Sequence, residues 1–153
     1  MKLSDVFRNY FDVRRELVEA VSDLTQEQLD WVPPGHTNSI GWLLAHIAEA
    51  EFWWIRVVAE QEIPYAKEAF APFEQAKTLD EIFPLLEENH AAMKAWLDKA
   101  TVEEWDEVSY DVPKRDRKVS MRWIAEHVIE HQARHRGQIF MMMHMQGLPV
   151  PRV

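Results

Sequence analysis

Four segments of this chain repeat apolar residues at three- and four-residue spacings over lengths that span a small bundle, with Pro and Gly concentrated between them. That period is the helical one; a strand would place alternate residues on one face. The first segment runs from about Ser4 to Ser22 and carries Val6, Phe7, Tyr10, Val13, Leu17 and Val21. The second opens at Ser39, a good N-cap after Pro33-Pro34-Gly35, and sets Leu43, His46, Ile47, Ala50, Trp54 and Val57 along one face. A third is expected from near Thr78 to about Lys99, because Thr78 and Glu81 have capping-box spacing. Pro84 removes a donor in its early turns, so the start is expected nearer Asp80 or the first turn distorted. The last segment runs from Ser120 to near Gly147, with Ile124, Val128, His131, His135, Ile139 and Met142 on its buried face and Pro149 beyond its end. Between the third and fourth, capping-box spacing predicts a short helix over Thr101 to Trp105. Val108 to Val119 has no helical stripe and reads as a loop or small hairpin. The pattern predicts an all-α fold: a left-handed four-helix bundle with almost no sheet, and a short extra helix or loop between helices 3 and 4.

A chain of 153 residues fits one domain, spanning 1–153, and a domain of this size buries roughly 70% of the surface of its unfolded chain. Seven Trp and seven Met fill that core or wall an apolar pocket. The formal charge of −9 repels phosphate backbones and anionic lipid, which argues against nucleic acid and membrane partners. Lys114, Arg115, Arg117 and Lys118 cluster, but Asp111 and Asp116 dilute the run, which reads as a solvated loop. Without cysteine there is no disulfide, no thiolate ligand and no cysteine nucleophile, so any thiol chemistry needs a thiol from outside. The start lacks a continuous apolar run, and Ile40 to Val58 is broken by His46, Glu49, Glu51 and Arg56. A cytoplasmic protein is expected.

In the last segment His127, His131 and His135 recur every four residues, and each such step advances only about 40° around a helix. Two histidines at i and i+4 project imidazoles close enough for one ion, the spacing that helical zinc sites use. The alternative is two core histidines satisfied by hydrogen bonds, which leaves several polar nitrogens to pair in an apolar stripe. His46 supplies a third imidazole from the apolar face of another helix, the convergence from which bundle metal sites are built. His46, His131 and His135 are therefore the expected metal ligands, with His127 beside them rather than among them. His144 lies on the opposite face, His36 in the Pro-Gly loop and His90 beside the third stripe.

The run His127-Val-Ile-Glu-His131-Gln-Ala-Arg-His135-Arg-Gly-Gln138, with Gly41-Trp-Leu-Leu-Ala-His46-Ile upstream, resembles the DinB-like family, which includes YfiT-type proteins regarded as metal-dependent hydrolases. The likeness extends over nearly the whole chain, including Leu24 to Gly35. It implies an up-up-down-down four-helix bundle, often dimeric, so a homodimer is expected. It also implies zinc, nickel or a similar ion on the helix-2 histidine and the HxxxH pair, here His46, His131 and His135. Gly137 would fall where the helix meets a close neighbour, which would explain a glycine kept inside a helix. Some members resemble transferases or isomerases that use bacillithiol, mycothiol or glutathione.

Three neutral imidazoles leave a divalent ion its full charge and an open position, the arrangement of a catalytic site. Glu49, one turn after His46, is the candidate general base, and Glu130 a candidate for orienting a ligand imidazole. Trp42, Trp53, Trp54 and Trp123 are candidate walls of an apolar pocket. The leading reading is a metal-dependent transferase that joins a low-molecular-weight thiol to a small-molecule substrate. A metal-dependent hydrolase and a non-catalytic metal- or ligand-binding dimer are the alternatives.

Overall fold

The computed structural model describes residues 1–151. Its long elements coincide with the four periodic segments, and short elements join them. Helix α1 (Leu3–Val6) and helix α2 (Arg8–Val21) form the first segment, interrupted at Phe7, whose φ of −105° and ψ of 38° leave the helical region. A short helix α3 (Gln26–Asp30) follows in the link, held by a capping box between Thr25 and Gln28. Helix α4 (Ile40–Glu51) begins at Ser39, whose hydroxyl accepts from the Trp42 N–H. The second segment does not stay α-helical: from Phe52 to Ala59 it continues in wider, π-type turns. Wide turns of this kind concentrate at functional sites.

After a 3₁₀ turn (Lys67–Phe70) and helix α5 (Ala71–Gln75), neither visible in the apolar pattern, helix α6 (Leu79–Lys99) starts at its Thr78/Glu81 capping box. Pro84 neither moves that start nor ends the helix. It is exposed, as is Asp80, whose carbonyl loses its helical donor and can turn to water. The expected helix at Thr101 to Trp105 is a 3₁₀ turn (Val102–Glu104) with the capping box present. The stretch after it is a hairpin, β1 (Ser109–Asp111) antiparallel to β2 (Lys118–Ser120), pairing Ser109 with Ser120, Tyr110 with Val119 and Asp111 with Lys118. Helix α7 (Met121–Met145) ends at Gly147, where φ is +74°. The Leu148 N–H reaches the Met143 carbonyl and the Gly147 N–H the His144 carbonyl, a Schellman closure that needs the left-handed residue. Among the described residues no helix is long and apolar enough to cross a membrane.

Helix α4 packs against both α6 and α7, and α2 against α7. Two apolar clusters fill the interior. One gathers Leu17, Leu44, Ile47, Leu86 and Ile139; the other gathers Tyr10, Ile55, Met93, Ile124 and Val128. The long helices also bury polar residues: Arg14 from α2, Glu51 from α4, Asn89 from α6, and His131 and Gln132 from α7. Arg14 lies 2.9 Å from Glu51 and donates from Nε to Gln132 Oε1 at 2.6 Å. Tyr10 donates to the same Glu51 oxygen, and His90 Nδ1 lies 3.1 Å from it. Burial alone would raise the Glu51 carboxyl, but Arg14, His90 and Tyr10 outweigh it and hold the group below the ordinary carboxylate range. Burial and the Glu51 charge push the Tyr10 phenol well up, so it remains a donor.

Candidate metal centre

His46 projects from α4 and His131 and His135 from successive turns of α7, where the two helices pack together. One ring nitrogen of each lies within 4.8 Å of the others, so the structure brings the three predicted ligands to one point. His131 Nε2 stands 3.1 Å from both His46 Nε2 and His135 Nε2. Imidazole nitrogens about 2.0–2.1 Å from a tetrahedral zinc ion sit about 3.3 Å apart, close to the spacing found.

The far side of two rings fixes their tautomers. His46 Nδ1 lies 3.1 Å from Glu49 Oε2, and His135 Nδ1 faces Gln138 Oε1. Both partners accept, so both Nδ1 atoms carry the proton and both Nε2 atoms turn lone pairs toward His131. His131 Nε2 can donate to only one of them. A cation at the shared point satisfies all three nitrogens, and the donor set fits zinc, nickel or copper, which imidazole suits.

Burial lowers the basicity of His131, and the neighbouring His135, His46 and His127 add to the effect, pushing its pKa down to about 3. His135 is also lowered, first by burial, with Gln138 opposing. These two rings are therefore neutral at pH 7, each with a lone pair available to a cation.

His46 and His131, but not His135, border a cleft of about 650 Å³. Trp53, Trp54 and Trp123 line it as expected, but Trp42 does not. Trp42 is 45% exposed and stacks on His46 with centroids 4.7 Å apart. His127 also lines the cleft, stacked on Trp123 at 4.5 Å and 6.0 Å from the His131 ring. It flanks the cluster without joining it, and burial lowers its basicity too.

Several expectations are corrected. Glu130 orients no imidazole; it is exposed and pairs with Arg134 one turn along the helix. Gly137 meets no close neighbour, since a Cβ there would find nothing within 4 Å. The tight glycine is Gly41, where a Cβ would stand 3.2 Å from Leu29 Cγ. His36 and His144 are exposed and lie outside the cluster, while His90 belongs to the buried polar layer. The Lys114–Lys118 run is not simply a solvated loop, because Lys114, Arg115 and Arg117 border the cleft. Sequence reasoning passed over the polar layer. Its signal was Arg14 standing four residues after Tyr10 and three before Leu17, inside the apolar stripe.

Comparison with known proteins agrees with this fold. The family model described as the DinB superfamily matches residues 11–139. Among solved structures, a DinB-like protein from Bacillus cereus ATCC 10987 is similar at 20% identity and a TM-score of 0.69, over 95% of this chain and 93% of that one. A DinB-like protein of Bacillus subtilis, YjoA, is similar at 21% identity and a TM-score of 0.66, over 94% and 92% of the two chains. No curated protein matches. A likeness this distant supports the fold alone; the family rests on the model, which runs from α2 to the buried Ile139 of α7 and takes in all three converging histidines. On that match the chain belongs to the DinB superfamily.

Proposed function

We propose that His46, His131 and His135 hold one divalent ion, zinc or nickel, and that the site transfers a low-molecular-weight thiol of the bacillithiol, mycothiol or glutathione type to a small electrophile. The observation that carries the reading is the convergence of three Nε2 atoms, two with lone pairs forced inward, on the edge of a cleft. A divalent ion there supplies Lewis acidity, lowering the pKa of a thiol or water that reaches it. The protein's own residues do the rest. Glu49 accepts from His46 Nδ1 and so aims its Nε2. It also lines the cleft, and is the base we assign to the incoming nucleophile. Trp53, Trp54 and Trp123 give the electrophile an apolar wall beside that nucleophile, so that proximity lowers the barrier. The absence of cysteine makes an external thiol necessary for sulfur transfer.

Hydrolysis is the second reading, favoured by the openness of the site: the His46 and Glu49 side chains are each about a third exposed, so water reaches them. We further propose that the long helices form an up-up-down-down bundle and that two copies associate. The exposed Trp42, Met141 and Met145 supply apolar surface for that contact.

The test is metal analysis of protein purified without chelators, followed by assays of bacillithiol, mycothiol and glutathione with a chromogenic electrophile beside ester and amide panels. Metal-dependent thiol transfer is expected. Thiol-independent hydrolysis that vanishes in His131→Ala would establish the second reading, and metal-independent behaviour in both panels would overturn the enzyme.

A further inference from the structure

A protein of net charge −9 has no general reason to gather cations at one opening, yet Lys67, Lys114, Arg115 and Arg117 all border the cleft. The carboxylates bordering it are Glu49, engaged with His46, and Glu74. Among the described residues none of the four cations forms an ion pair, whereas most other arginines do: Arg8, Arg14, Arg15, Arg56, Arg122, Arg134 and Arg136 are each matched to a carboxylate. Unmatched charge is thus gathered at the opening of the cleft that His46 and His131 border.

These cations are held on a built frame. The hairpin carrying three of them is anchored by Val112 and Val119, buried in the second apolar cluster. Its turn is closed by backbone bonds from the Val112 N–H to the Arg117 carbonyl and from the Arg115 N–H to the Val112 carbonyl. Lys114 sits at φ +60°, a left-handed position usually given to Gly or Asn. The Arg117 guanidinium lies 4.4 Å over the Trp123 ring, and that ring stacks on His127. Charge is thus layered on the aromatic wall, with the histidine cluster at its inner end.

We infer that Lys114, Arg115 and Arg117, with Lys67, recognise an anionic group, carboxylate or phosphate, on the substrate's outer end, while its apolar part lies along Trp123 and Trp54. The inference rests on reading the cleft as a substrate site and deepens it: the molecule accepted is an anion with an apolar body. Guanidinium and ammonium donors make charge-assisted bonds to such groups, and cations at a low-dielectric mouth also speed the arrival of anions.

Calorimetric titration with naphthalene-2-carboxylate, naphthyl phosphate and the neutral naphthalene-2-carboxamide tests it, on zinc-loaded and metal-free protein. The anions are expected to bind roughly tenfold more tightly than the amide, a preference that salt erodes. Lys114→Gln/Arg115→Gln, which leaves the Arg117–Trp123 stack intact, is expected to remove most of that preference without changing amide binding. Arg117→Gln is expected to weaken all three probes, because it also loosens the wall. Preference retained in the double variant but lost on removing zinc or in His131→Ala would place the anion on the metal and overturn the inference. Preference present in protein that binds no metal would sustain it while overturning the metal reading.

Discussion

Two polar clusters lie side by side at the middle of this molecule, and they resolve the same physical problem in opposite ways. In the layer of Arg14, Glu51 and Gln132 the charges are matched: cation meets carboxylate, and the Gln132 amide and Tyr10 phenol bond to that pair, while Asn89 donates to the Leu85 carbonyl of its own helix. The histidine cluster begins one residue from Gln132, at His131, yet its three nitrogens face one another with no anion and too few protons. The first balances its charge with its own residues. The second has more acceptors than donors, and its His46 and His131 open on a cleft. Buried polar atoms mark a site when their charge balance is left unfinished, and a structural lock when it is complete.

The sharpest way to break the contrast is to remove a ligand. His131→Ala is expected to abolish bound metal while His144→Ala retains it, as read by elemental analysis; equal content in both would end the distinction. Zinc at about a hundred times its Kd should stabilise the native protein by about 2.7 kcal/mol. That is a rise in melting temperature of roughly 5–10 °C for a domain of this size, and it should be missing in His131→Ala.

Cutting the matched layer should cost stability instead. Arg14→Met leaves the buried Glu51 without its guanidinium, with only Tyr10 and His90 beside it, for which about 3–5 kcal/mol is expected in urea unfolding. Arg14→Met/Glu51→Met should recover much of that loss, since neither charge then remains. Acid separates the clusters as well. The Glu51 pKa is lowered on folding, so its contribution is complete above its unfolded value of 4.5 and fades as the pH falls through the folded one. His131 is lowered from 6.5 to about 3, so in metal-free protein its share begins to fade below pH 6.5. Metal-free His131→Ala should lose part of the pH slope between 6.5 and 3, and Glu51→Gln only the part below 4.5. A common midpoint shift in both variants would show the clusters to be one titrating unit.

Glu49→Gln is a smaller change, because it keeps the side chain and removes the charge behind His46. Metal affinity should fall about 10- to 100-fold, with thiol transfer slowed further. Smallest is Gly137→Ala. The added methyl enters open space on a helix, so a gain of up to about 1 kcal/mol with unchanged metal content is expected. A loss of metal would mean that α7 near His135 needs its flexibility.

The periodic segments and their caps were legible because each depends on residues close in sequence, and the grouping of His46 with His131 and His135 because all three lie on apolar stripes of helices that pack together. Ser39, Thr78 and Gly147 act where local chemistry places them. The change to wide turns at Phe52 was not legible, since a stripe read at 3.6 residues per turn assumes the pitch it is testing. Nor was the placement of the basic run. Lys114 to Lys118 looked solvated beside Asp111 and Asp116, and only the anchoring of Val112 and Val119 in the core brings its turn to the cleft. Gly137 misled because a glycine within a helix predicts a close neighbour only when its missing side chain would have pointed at one.

The junction between α4 and the wide turns bears on how such a protein can diversify. His46 and Glu49 stand on regular turns, while Trp53 and Trp54 stand on the altered ones that follow directly. One rod thus carries two parts with different rotational phase. Inserting or deleting a residue beyond Phe52 would swing the aromatic wall around the axis and leave His46 in register with His131. A change of that kind would exchange one wall for another while the grouping of the three histidines stayed as it is.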